Sequence, residues 1–196
     1  PLEQGELAAQ TVEFAAPFYM AAHELTQAQL AAYQKAQSAG GVPQAVPDEF
    51  RNYPVLGMPV AGAMEICKWL GPSFDLPSEQ EWEWAARGGG ERKYPWGDDD
   101  PSPEHVRMKP YPIGAAGSIR TIPVAELEKG KTPEGVFHLL GNAAEWCRDL
   151  YTPGFKETSE TTGAGKLHVI RGGSFRSPGS KPIRLTWRAN APDSGA

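Results

Sequence analysis

Cysteine is almost missing. Cys67 and Cys147 are the only two in 196 residues, in no Cys-x-x-Cys or Cys/His spacing, so neither a zinc site nor a disulfide framework has support. The pair reads as two buried thiols, with a single disulfide between them as the alternative. No apolar run approaches the roughly 18 residues of a membrane span, and no charged-then-apolar leader follows Pro1. The opening PLEQGEL therefore reads as the start of a piece cut from a longer precursor. An excess of positive charge is also lacking: 19 Lys and Arg stand against 24 Asp and Glu, for a net charge of -5. That balance argues against a nucleic-acid polyanion or an anionic membrane surface as the main partner. There is no internal repeat and no low-complexity tract, and TSETTGAG at 158–165 is the one plainly flexible loop.

What is abundant points the other way. The 22 Gly and 19 Pro interrupt helices and strands, so much of the chain must run as ordered turns and loops. Six Trp, six Tyr and seven Phe are spread along it and drive collapse into a core, which separates this composition from that of a disordered chain. Length and 40% apolar content suit one domain, taken as residues 1–196.

Three helices are legible. In LTQAQLAAYQKAQSAG, Thr26 and Gln29 form a capping box; Leu30, Tyr33 and Ala36 or Gln37 trace the inward face, and Gly40 and Gly41 end it. A second helix is expected at Ala61 to Leu70, with Val60, Met64, Cys67 and Leu70 at spacings of three and four. A third follows a second capping box, Ser78 with Glu81, and turns Trp82, Ala85 and Ala86 inward before Gly88. TVEFAAPFYM alternates as a strand would. Beyond Gly88, short strands are expected in KYPWG, RTIPVAEL, GVFHLLGNAAEW and HVIRGGSF, embedded in tightly held loops.

The order of blocks carries more than any one of them: HELTQAQLAAY, PVAGAMEICKWL, DLPSEQEWEWAARGG, YPWGDD, GVFHLLGNAAEWCRD, VIRGGSF. This order resembles the formylglycine-generating enzyme (sulfatase-modifying factor) family over about Phe18 to Phe175. The resemblance implies an α+β, C-type-lectin-like fold: a small antiparallel sheet, two or three helices and much irregular loop. Within it, Trp82, Trp96 and Trp146 would fill the core between loops, and Gly172 and Gly173 would permit a turn that a side chain blocks.

The same resemblance exposes a loss. The family's two catalytic cysteines, which bind copper(I), would fall three and eight residues past Ser174, where this chain has Ser177 and Pro182. A hydroxyl is a poor copper(I) ligand and proline offers none, so no copper is expected. His23, His105, His138 and His168 show no ligand spacing, which weakens an iron-dependent alternative and leaves them as surface or packing residues. For calcium, the family's site maps to Gly141, Ala143 and Glu145, with His138 in place of its asparagine, a poor ligand for a hard cation. Retained calcium and a Glu145 held by hydrogen bonds alone both remain open. The family's second calcium site falls near GDDDPSPEHV, where His105 stands for an asparagine and Asp98, Asp99 and Asp100 read as a solvated acidic turn.

After Ser174, Arg176, Lys181, Arg184 and Arg188 face only Asp193, a basic stretch in an acidic chain. Phe175 and Trp187 lie within it, and aromatic and guanidinium groups most often carry binding energy at interfaces. Phe175, Arg176, Ser177, Lys181, Arg184, Trp187, Arg188 and Asn190 are therefore the candidate ligand-binding residues; Trp187 and Arg184 packed and paired inside the loops are the alternative. The sequence ends at Ala196, before the strand with which the family closes its sheet. The expected function is a catalytically silent binding module for a protein or peptide, such as a diversity-generating-retroelement variable protein or an accessory domain of a bacterial kinase or envelope protein. An oxidoreductase with non-cysteine chemistry is the rival. The compartment is not legible; family resemblance favours an extracytoplasmic one.

Overall fold

The computed structural model describes residues 11–38, 45–90, 92–109, 120–152, 161–162, 165–177 and 184–193. All three expected helices form: α1 Gln27–Gln37, α2 Val60–Leu70 and α3 Glu79–Arg87. Both capping boxes are present. Thr26 accepts from Gln29 N–H while Gln29 reaches back to the Thr26 N–H, and Ser78 and Glu81 do the same. Each box satisfies two donors that a bare helix start would leave open, worth about 1 kcal/mol for the cap side chain. Gly88 ends α3 in the left-handed region at φ 57°, a backbone that costs glycine little.

The strands are β1 Glu145–Leu150, β2 Thr161–Thr162, β3 Gly165–Arg171 and β4 Ala189–Pro192. β3 pairs antiparallel with each of the others: Glu145 opposite Arg171, Thr161 opposite Lys166, and Val169 opposite Asn190. The pairing register of β1 with β3 shifts between Trp146 and Leu150. Along β3, His168, Val169 and Ile170 are all buried, as befits the middle of a sheet.

α3 lies against this sheet. Trp82 and Ala86 pack with Cys147 of β1, Val169 of β3, and Val106, Met108, Val136, Leu139, Leu140 and Leu185 from the loops. Side chains of this size contribute about 1.5–3 kcal/mol each when fully buried, so loops supply as much of the core as the regular elements. Gly172 and Gly173 take positive φ of 81° and 67°, and a Cβ on Gly172 would stand 2.9 Å from the Leu139 carbonyl, as the turn reading requires.

Several expectations are corrected. TVEFAAPFYM is not a strand: Pro17 cannot donate to a ladder, and Phe14 instead packs on Phe18 and Trp84. RTIPVAEL and KYPWG form no ladder beyond a Tyr94–Gly97 bridge, and in GVFHLLGNAAEW only the last two residues enter β1. The loop at 158–165 contains β2 and the first residue of β3. α1 buries no residue; Leu30 and Tyr33 are half-exposed, and Tyr33 meets the edge of Trp69 on α2. Of the three expected core tryptophans Trp82 alone is fully buried; Trp96 packs at the margin of the core, and Trp146, partly buried, donates to the Met58 carbonyl and meets His168 edge-on. Both cysteines are free thiols, Cys147 buried and Cys67 partly exposed.

Candidate functional site

Two places are built from the residues singled out above: the end of β3 with the segments that follow it, and the loop at 141–145.

β3 ends at Arg171, which is 1% exposed. Its guanidinium lies 2.5 Å from Glu79 Oε1 and 2.8 Å from Glu83 Oε2, donates to the Leu185 carbonyl, and stacks 4.9 Å over the Trp82 ring. Glu79 is shared. Arg188 donates to it through Nε at 2.5 Å and Nη2 at 2.7 Å, donates to the Thr152 carbonyl at 3.1 Å, and sits 5.0 Å over Tyr151. One carboxylate at the start of α3 thus holds two buried arginines from β3 and from the approach to β4. This arrangement joins the helix to the sheet, and the fork geometry of each guanidinium suits it.

The candidate ligand residues divide accordingly. Arg188 and Phe175 are buried, Arg188 committed to Glu79 and Phe175 tied by its N–H to the Asn142 carbonyl at 3.0 Å. Neither presents a side chain at a surface. Arg176 is exposed with its guanidinium 5.2 Å over the Phe175 ring; Arg184 and Asn190 are exposed and Trp187 half-buried. Ser177 closes a turn: its hydroxyl accepts from Ser174 N–H at 3.0 Å, and its own N–H donates to the Ser174 carbonyl at 2.9 Å. Lys181 and Pro182 lie outside the described residues. The 172–177 segment continues from Arg171, and the 184–188 segment is docked to it through Leu185, so both leave the same end of β3.

The second place centres on Asn142, fully buried at φ 53°. Its amide donates to Glu24 Oε2 at 2.8 Å and to the Ile122 carbonyl at 3.2 Å, and its Oδ1 accepts from Ile122 N–H at 2.9 Å. Glu24 Oε1 also accepts from Ala143 N–H at 2.9 Å. Glu145 Oε2 accepts from the Trp82 indole at 2.5 Å. Burial pushes the Glu145 carboxyl up to about 7, the Trp82 bond opposing it. Burial, with the neighbouring Glu145 charge, also raises Glu24 well above the usual carboxylate range. Glu24 and Asn142 were not among the sequence candidates; Glu24 opens the ELT block immediately before the first capping box, and nothing nearby marks its partner 118 residues away.

The donors present do not fit calcium, which takes six to eight oxygens. At this position the chain offers the Gly141 and Ala143 carbonyls and the Glu145 Oε1 not bound by Trp82. His138 brings a nitrogen ring that donates to the Pro123 carbonyl and lies beside Phe137 and His23. Asp98, Asp99 and Asp100 are exposed, with Lys93 pairing Asp100 at 3.3 Å, and His105 Nδ1 is bound by Ser102 Oγ at 2.8 Å. Among the described residues no three His, Cys, Asp or Glu side chains form a metal-binding group.

His138 yields a pH prediction. Burial lowers its pKa from 6.5 to about 4, and its Nε2 is buried without a hydrogen-bond partner. The folded state therefore binds fewer protons than the unfolded chain between those values, and stability is lost as pH falls. Melting temperatures compared with His138→Asn should show the natural chain losing ground steadily from pH 6.5 down to about 4. Glu145 has the opposite sign: raised from 4.5 to about 7, it contributes stability that is lost as pH rises through that window. Compared with Glu145→Gln, the natural chain should lose ground toward neutrality.

A small antiparallel sheet carrying three helices, with loops completing the core, defines the α+β, C-type-lectin-like class. Residues 2–196 match the family described as "Sulfatase-modifying factor enzyme 1-like domain", and the chain belongs to that family. It is 33% identical over 161 residues to a formylglycine-generating enzyme of Streptomyces coelicolor, covering 74% of this chain and 50% of that protein. The chain thus spans half the length of that relative. Among solved structures, PvdO from Pseudomonas aeruginosa aligns with a TM-score of 0.64 at 24% identity, over 88% of this chain and 74% of that one. Treponema denticola variable protein 1 aligns with a TM-score of 0.60 at 22% identity, over 87% and 77%. Both likenesses are of fold alone. No described helix is long and apolar enough to cross a membrane.

Proposed function

We propose that this chain is a family member without formylglycine-generating activity that presents the surface at the end of β3 to a protein or peptide. The observation that carries this reading is the fate of the cysteine positions. No cysteine follows Cys147, which is buried in the core, and at Ser177 the side-chain hydroxyl serves its own turn. A copper(I) ion needs a pair of soft thiolates at one place. What stands on that surface is Arg176, Arg184, Trp187 and Asn190, a mixture of guanidinium, aromatic and amide groups suited to holding a partner. The fold shared with the Treponema variable protein is consistent with a loop-built binding face, whether in such a protein or as a module of a larger bacterial kinase or envelope component outside the cytoplasm.

Selection from a random peptide display library against the immobilised chain tests this. Enriched peptides should lose at least about tenfold in affinity when Arg176, Arg184 or Trp187 is replaced by Ala, the range of an interface anchor. The Arg176 replacement, at an exposed side chain, should leave the melting temperature nearly unchanged. Binding indifferent to all three, or copper or iron in the purified protein together with oxygen consumption, would sink the proposal in favour of the oxidoreductase reading.

A further inference from the structure

We infer that the 141–145 loop is held in place by protein groups alone, with no divalent cation in it. The inference is independent of what the surface beyond β3 binds.

A cation in such a loop acts as a cross-link between segments distant in sequence. Here each connection is already made. Gly141 N–H donates to the Gly172 carbonyl at 3.0 Å and Asn142 N–H to the Arg107 carbonyl at 2.8 Å. Ala143 N–H and the Asn142 amide converge on the two oxygens of Glu24, at 2.9 and 2.8 Å. The Asn142 side chain both donates to and accepts from Ile122, the Asn142 backbone carbonyl takes Phe175 N–H at 3.0 Å, and Glu145 is anchored on Trp82. The loop is therefore joined to the chain before α1, to the 107 and 122 segments, to the turn after β3, and to α3. The space against Gly141 is also filled: a Cβ there would stand 2.6 Å from the Arg107 carbonyl and 2.8 Å from Val106 Cγ2.

Of the chain's own oxygens at these positions, two carbonyls and one carboxylate oxygen are left for an ion, half or less of a calcium shell, the rest of which water would have to supply. The fourth family position has turned elsewhere: His138 is 4% exposed and held to Pro123, not to the loop. Glu24 is the residue that does the joining. Its two oxygens take one backbone and one side-chain donor, an arrangement that Gln, with a single acceptor oxygen, cannot reproduce.

The test is thermal unfolding of the whole chain after exhaustive EDTA treatment and with millimolar calcium or zinc chloride. A cation present at about a hundred times its Kd raises the melting temperature of a chain this size by roughly 5–10 °C. We expect shifts within about 1 °C, the limit below which linkage is negligible here. Glu24→Gln should lower the melting temperature by several degrees, equally in EDTA and in calcium. Glu145→Gln, which keeps an acceptor for Trp82, should leave the absence of a metal response unchanged. A rise with either metal that Glu145→Gln abolishes, or a Glu24→Gln deficit that calcium repairs, would overturn the inference.

Discussion

Replacing Glu79 with Ala is expected to destabilise the chain by about 3–5 kcal/mol, the cost of stripping the partner from buried charges. Arg171 and Arg188 are both below 10% exposed and meet on this carboxylate. Without it Arg171 keeps Glu83 and the Leu185 carbonyl, but among the described residues Arg188 keeps just the Thr152 carbonyl and the face of Tyr151. A guanidinium cannot shed its proton to escape the penalty. Chemical denaturation should show the loss, with a melting temperature lower by on the order of 10 °C for a chain of this length. Glu79→Gln, which preserves the shape and one acceptor, should fall between the two. A Glu79→Ala loss under about 1 kcal/mol would mean that the pair is solvated and that the cluster does not join α3 to the sheet.

Trp82→Ala should cost about the same, 3–5 kcal/mol, as large aromatic truncations in cores do. Trp82 is 1% exposed in the centre of the cluster formed by α3, β1 and β3. The truncation also removes the indole donor from Glu145 and the ring beneath Arg171. Trp82→Phe separates these effects, since it refills most of the volume but returns no N–H, and should recover more than half of the loss. Because Trp82 and Arg171 touch, the double variant Trp82→Ala with Arg171→Ala should lose less than the sum of its parts. Denaturant titration of the four proteins in that cycle gives the coupling directly.

The helices were readable because their signals are local. Ser78 and Glu81 stand three residues apart, and capping needs nothing else. α1 shows the limit of the same method: its cap was evident, but whether Leu30 and Tyr33 find a core depends on what packs beside them, and little does. The strands were poorly legible because they are short and because β1 and β4 pair with β3 across intervening segments; β2 has two residues, and β4 has only four, ending in a proline. The block order placed the Gly172 turn correctly.

The charge reading after Ser174 missed the partner of Arg188 for a comparable reason. Arg188 seemed unopposed because the only nearby acid is Asp193, yet Asp193 lies 3.1 Å from His168 and the true counter-ion is Glu79, 109 residues back. Net charge along a segment therefore measured the wrong pairs. The same holds for Glu24, whose partners at Asn142 and Ala143 no local pattern announces.

The division at the end of β3 has a consequence for how this surface can change over time. Arg188, Phe175 and Leu185 hold the two segments to the core, while Arg176, Arg184 and Asn190 stand outward beside those anchors. Exchanging an outward residue leaves each anchor intact, and substitutions of that kind cost little, within about 0.5 kcal/mol. Stability and surface identity are thus written in alternating letters of one short stretch. Such a stretch can drift through many sequences without passing through an unfolded one.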